Sequence, residues 1–321
     1  MLLASLQPAM LAARPNVLHI LMDDWGIGDV NAYGNIATTH VTTPHIDSLA
    51  RDGVLFTNGY SASPVCSPSR AGWMTGRFPA EAGIHSALSY SGGCGGCAPY
   101  LDPVKFPTLP TLLHKAGYTT AHFGKWHLGS SNPATNDTSP LPLAYGFDAT
   151  ATYNSDADKP TLPTAPSWPP LLPGCTSPRA PNTPSCNDSH WSAHTSGAVT
   201  NHSLAFVDAA KRDQKPWFIN AWYHVSHALL SPTAGQINAS GHRFDKACRL
   251  GASSSGQTTC AHQIMWSAQQ AADAEIGRLL DGLRARNVWS NTLIGTLLLA
   301  YFTYEYLLTY LLYLLTSFTS Y

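Results

Sequence analysis

Charge is scarce in this chain and shows no excess of either sign. Only 12% of the 321 residues are Asp, Glu, Lys or Arg, and 18 basic side chains face 19 acidic ones, for a formal charge of -1. Such a balance gives no basic footprint for nucleic acid, which needs clustered Lys and Arg. A basic segment is also missing at the start. Met1 to Ala13 is apolar with small residues but has no positive head, so residues 1–13 fit a shortened or poorly formed signal peptide. Cys94-x-x-Cys97 has no second Cys-x-x-Cys with which to build a four-thiolate zinc site. Apolar residues are not scarce: 44% of the chain is hydrophobic, enough for a large core in one sizeable domain or two smaller ones, which excludes disorder of the whole chain.

Seven cysteines are present. With Cys66 set aside, the others fall into local pairs, Cys94 with Cys97, Cys175 with Cys186 and Cys248 with Cys260, a pattern that suits an oxidising compartment while leaving connectivity open. Asn-x-Ser/Thr sequons at Asn136, Asn187, Asn201 and Asn238 point the same way. The expected location is the secretory pathway, a lysosome-like compartment or the cell exterior. Fourteen histidines also stand out, since imidazoles recur where protons or anions are handled.

Short apolar runs alternate with helical patterns. Val17 to Met22 reads as a buried parallel strand ending in Asp23-Asp24, where open α/β sheets gather ligands. Thr43 to Gly53 reads as a helix, Val54 to Tyr60 as the next strand, Thr108 to Ala116 as a helix, and Tyr118 to Phe123 as a strand running into Gly124-Lys125. Residues 130–200, rich in Pro, Ser, Thr, Asn and Asp, read as a long surface excursion. Pro216 to His224 resumes a core strand. Ala261 to Arg286 carries a helical stripe of Ile264, Ala268, Ala271, Ile276, Leu279, Leu280 and Leu283. Strands alternating with helices predict an α/β sandwich around a mostly parallel sheet.

One stretch narrows the function. Cys66-Ser67-Pro68-Ser69-Arg70, continuing to Thr75-Gly76-Arg77, resembles the signature of the type I sulfatases, arylsulfatase-like and formylglycine-dependent. Gly117 to His127 resembles the second signature of that family, and Trp217 to His227 its strand ending in an active-site histidine. The resemblance covers about residues 14–294 and implies an alkaline-phosphatase-like fold and hydrolysis of sulfate esters of aryl or carbohydrate type. It also implies oxidation of Cys66 to formylglycine by a formylglycine-generating enzyme. An aldehyde hydrate carries two hydroxyls, one to attack sulfur and one to expel sulfate afterwards.

By the same resemblance Asp23, Asp24 and the modified Cys66 would bind a divalent cation, calcium or magnesium. Arg70 would hold the nucleophile's oxygens in register with Asp23. Lys125 would grip sulfate oxygens, His127 would take the second proton, and His227, with His224 in reserve, would protonate the departing alcohol. Taken without the family, Asp23-Asp24 fits a helix cap, Arg70 and Lys125 fit solvated charges, and the histidines fit capping or core positions. A phosphatase or phosphodiesterase would share the sheet and its carboxylates, but normally carries Ser or Thr at the nucleophile.

The resemblance stops after Asn291-Thr292-Leu293-Ile294. Sulfatases continue that strand into Asp-Asn-Gly, then a lysine and a small C-terminal subdomain; this chain reads Gly295-Thr296-Leu297-Leu298-Leu299-Ala300. Leucine and alanine cannot coordinate a hard cation, so half of the metal site would be missing and activity impaired. Residues 295–321 form an apolar tail, and 293–321 is long enough to cross a bilayer, with Glu305 its one charge. Two origins stay open: a membrane anchor, or the end of an aberrant splice, read-through or frameshift. The alternative function is an inactive sulfatase-like protein that binds sulfated glycans.

Overall fold

Asn16-Val-Leu-His-Ile-Leu-Met-Asp23 is buried at every position, and apolar at most, because both of its faces are covered. Val17 and Leu21 join one core, and Leu18, Ile20 and Met22 the other. This segment is β1 of the computed structural model, which describes residues 14–34, 41–88, 96–129, 139–153, 191–227, 232–240 and 258–299. The other strands are β2 (Thr119–Lys125), β3 (Ala149–Tyr153), β4 (Trp217–Tyr223) and β5 (Thr292–Leu299). They form one sheet in the order β3-β2-β4-β1-β5, and every neighbouring pair is parallel.

Helices cover both faces. Helices α4 (Trp191–Arg212) and α6 (Thr258–Ala285) pack on each other, with α4 on β2 and β4 and with α1 (Pro44–Asp52) and α5 (Ala234–Ala239) against α6. Phe206, Val207, Ile276, Leu279 and Leu283 supply much of the core on this side. The opposite face takes α2 (Cys66–Thr75) and α3 (Leu109–Lys115), through Ala71, Trp73, Met74, Leu109 and Leu113. Asp273 of α6 caps α1: its carboxylate accepts from the backbone N–H of His45 and Ile46 at 3.1 and 2.9 Å.

Most expected elements are present, with three corrections. Val54 to Tyr60 is not a strand. Both flanks of β1 are occupied by β4 and β5, and the segment runs outside the sheet with Val54, Phe56 and Tyr60 exposed, along a cavity of about 340 Å³ that it shares with β5. Residues 130–200 are not one surface excursion, since they contain edge strand β3 and the first half of α4. Residues 293–299 belong to β5, inside the sheet, and are not part of a separate apolar tail. Among the described residues no helix is long and apolar enough to cross a membrane. Residues 1–13 and 300–321 lie outside the described residues, as do Cys94, Cys175, Cys186 and Cys248; Cys97 is disulfide-bonded.

The α2 face of the sheet holds two buried histidines, His19 and His122. His19 stacks on Trp73 with ring centroids 3.5 Å apart and accepts from Trp222 Nε1 at 3.0 Å. Burial lowers both imidazoles below their ordinary range, His122 to about 3, and the Arg70 charge adds to this in each. Both are therefore neutral in the fold, and protonation favours the unfolded chain as pH falls below about 6.5. Stability should drop by about 1.4 kcal/mol per pH unit for each of them in urea unfolding between pH 6 and pH 5. His122→Gln should flatten that slope by one histidine's share; an unchanged slope would mean His122 is not held neutral.

Candidate active site

Strands β1, β2 and β4 finish at one edge of the sheet and deliver Asp23, Lys125 and, just past β4, His224 to the same place. Lys125 arrives there because Gly124 lets β2 lie close against β4: a Cβ on Gly124 would sit 1.9 Å from the Trp222 carbonyl oxygen. The fourth contributor is α2, whose first residue is Cys66. Arg70 lies four residues on, one helical turn along the same face. Gly76, in the left-handed conformation at φ 66°, ends the helix and returns its N–H to the Gly72 carbonyl.

The side chains of Asp23, Arg70 and Lys125 are 0% exposed, and the carboxylate joins the two cations. Asp23 Oδ1 accepts from Arg70 Nη2 at 3.0 Å, and Oδ2 accepts from Lys125 Nζ. Arg70 Nη1 also donates to the Lys125 carbonyl at 3.0 Å, and its guanidinium lies 4.8 Å from the Trp222 ring centroid. Burial pushes the Asp23 carboxyl up, but Lys125 and then Arg70 outweigh it and hold the group well below the carboxylate range.

Cys66 Sγ lies 3.7 Å from Lys125 Nζ. Burial and then the Asp23 charge raise its thiol, against the pull of Lys125 and Arg70. An unmodified Cys66 is thus a poor thiolate at neutral pH. Asp24 follows in a left-handed turn at φ 58°, about half exposed; burial and Asp23 raise its carboxyl. His227 Nε2 is 4.0 Å from Asp24 Oδ2, and the His227 ring is 5.0 Å from that of His224. His224 Nδ1 is 3.9 Å from Asp23 Oδ2, its imidazole lowered by burial and then by Lys125. His127, at φ 54°, is buried and donates Nε2–H to the Leu88 carbonyl at 2.9 Å; burial, Lys125 and Arg70 lower it to about 3.

The expected residues therefore converge: Asp23, Cys66, Arg70 and Lys125 in direct contact, Asp24, His224 and His227 beside them. His127 is anchored to the Leu88 loop, whose N–H donates to Ser67 Oγ at 3.0 Å. Three supporting residues were not picked out from the sequence. Ser226 N donates to the Asp23 carbonyl at 2.7 Å and its hydroxyl to the Asp24 carbonyl at 3.0 Å, fixing the end of β1, while Gln269 of α6 donates to that hydroxyl at 3.3 Å. Trp222 underlies Arg70. Trp222 and Ser226 lie within the Trp217–His227 stretch and Gln269 lies outside any motif, and no local pattern marks the role of any of the three.

A hard divalent cation takes six or more oxygens. Asp23, Cys66 and His227 offer ligand atoms within 4.8 Å of one another, yet only one of the three is an oxygen donor. Both Asp23 oxygens already serve Arg70 and Lys125. Beside Asp23, β5 places Leu299, and β5 contains no carboxylate or carboxamide. Asp24 adds one more carboxylate beside His227, and the donors among the described residues still fall short of the six oxygens that calcium or magnesium takes, so they do not fit either ion.

Comparison with known proteins places this geometry. The Sulfatase family model matches residues 15–295, and the chain belongs to the sulfatase family. It is 42% identical to human arylsulfatase H over 141 residues, 42% of this chain and 24% of that protein. To human steryl-sulfatase it is 42% identical over 142 residues, 43% of this chain and 23% of that protein. The chain thus spans about a quarter of the length of these relatives. The crystal structure of the PsFucS1 sulfatase from Pseudoalteromonas sp. superposes with a TM-score of 0.61 at 22% identity, covering 88% of this chain and 55% of that one. The fold is alkaline-phosphatase-like.

Removing one partner from a buried ion pair costs about 3–5 kcal/mol because the other charge is stranded. Arg70→Met should lower unfolding stability by about that amount in urea denaturation. A loss below about 1 kcal/mol, the level of an exposed pair, would show that the Asp23 cluster does not hold the sheet edge together.

Proposed function

We propose that the chain is a sulfuric ester hydrolase of the arylsulfatase kind, with its nucleophile at position 66. The observation that supports this most is the contact of Cys66 with Lys125, beside the Asp23–Arg70 pair, in a family whose Cys-x-Pro-Ser-Arg cysteine becomes formylglycine. As the hydrated aldehyde, position 66 would supply one hydroxyl to attack sulfur and a second to release sulfate.

The remaining roles fall to the chain's own groups. Lys125 and Arg70, fully buried, meet developing negative charge on sulfuryl oxygens without water screening them. Asp23 keeps both cations oriented. His227, one quarter exposed, stands on the open side, where an alcohol would leave and need a proton. His127 is held neutral by burial beside Lys125 and Arg70, and proton removal from position 66 is the role that the family resemblance gives it. The substrate class is a sulfate monoester of an aryl, steroid or sugar alcohol. Passage through the secretory pathway accords with the exposed sequon residues Asn201 and Asn238 and the disulfide-bonded Cys97.

The incomplete donor set for a cation favours a second reading, a protein that binds sulfated glycans without turning them over. Mass spectrometry of the peptide containing Cys66, after secretory expression, should show the aldehyde in place of the thiol. Hydrolysis of 4-nitrophenyl sulfate should be abolished in Cys66→Ala. An intact thiol together with glycan binding that survives Cys66→Ala would replace the hydrolase with the binding protein.

A further inference from the structure

The charge at the sheet edge balances without a metal. Lys125 and Arg70 are both cationic, and Asp23 and Asp24 are the carboxylates beside them. The register pairs Asp23 with Leu299 and Met22 with Leu298, so the neighbouring strand adds no further anion. We propose that this site retains no hard divalent cation, and that the Lys125 ammonium holds the position a cation would take. The inference concerns cation binding alone and does not depend on modification of Cys66 or on turnover.

Lys125 Nζ touches Asp23 Oδ2 and lies 3.7 Å from Cys66 Sγ, so it occupies the space between carboxylate and nucleophile. A calcium or magnesium ion bridging those two groups would have to displace the ammonium or sit against it. The Lys125 and Arg70 side chains are 0% exposed, so water does little to screen that repulsion. The Ser226 hydroxyl is already bonded to the Asp24 carbonyl and to Gln269, and His227 offers nitrogen, a poor donor for these ions.

Isothermal titration of Ca2+ and Mg2+ into the EDTA-treated full-length chain tests this. No saturable binding tighter than about 1 mM is expected, weaker than dedicated oxygen cages. Lys125→Met frees Asp23 Oδ2 and should tighten Ca2+ binding at least tenfold, with circular dichroism confirming that the variant folds. One Ca2+ or Mg2+ per unaltered chain, bound more tightly than 1 mM, would overturn the proposal. A folded Lys125→Met variant with unchanged affinity would overturn the role given to Lys125. Should that variant fail to fold, the unaltered chain alone decides. The aldehyde measurement at position 66 is independent, so either result can fail without the other.

Discussion

A carboxylate with no access to water, held between an ammonium and a guanidinium, is the constraint on which the rest of this site depends. Each of these ions loses its hydration on burial, a cost of several kcal/mol apiece, and only close, well-directed pairing offsets it. Asp23 must therefore end β1 where Lys125 ends β2, and α2 must present Arg70 to both. Gly124 follows from that demand, because β2 could not otherwise approach Trp222 closely enough to bring Lys125 in. The aromatic layer follows too. Trp222 lies under Arg70, His19 accepts from Trp222 and stacks on Trp73, and both buried histidines stay neutral beside the guanidinium.

The all-parallel sheet turns this local pairing into a site. Three central strands share one direction, so their carboxyl ends open on the same side, and Asp23, Lys125 and His224, at or just past those ends, meet there. Asp24 and His127, one and two residues past the ends of β1 and β2, both take left-handed backbone conformations. Such conformations are uncommon outside glycine and cluster at functional positions. Ser226 ties the loop after β4 to the backbone of Asp23 and Asp24, so the carboxylates and His227 are fixed with respect to each other by main-chain bonds.

Much of this was legible in the sequence because the motifs are local. Cys66 and Arg70 share a helix face by spacing alone, and the strand into Gly124-Lys125 reads from its apolar run and its glycine. The stripe in α6 could be read from period, although Ala272 is more deeply buried than Ala271. What failed depended on partners distant in the chain. Val54 to Tyr60 has the composition of a strand, but it pairs with none of the five strands and is separated from β5 by a cavity that both line. Ala149–Tyr153 is short and follows a Pro-rich stretch, and it becomes β3 only because the outer edge of β2 is there to receive it. Gln269 lies in no motif and Trp222 in one that gives it no role; their roles come from what lies opposite them.

The departure at β5 can be understood in the same electrostatic terms. A sulfatase strand that ends in Asp-Asn-Gly adds oxygen donors and a negative charge next to the first carboxylate pair, and a divalent cation answers that charge. Here the strand ends in Leu299 at the same level of the sheet as Asp23. Had the anionic donors gone while a cation stayed, the buried cluster would carry two uncompensated positive charges beside Lys125 and Arg70. A site without those donors and, as proposed, without the cation is balanced. A site missing half of its family's donors can for that reason still keep Asp23, Arg70, Lys125 and Cys66 in close contact: the pairing that holds them is internal to β1, β2 and α2 and asks nothing of β5.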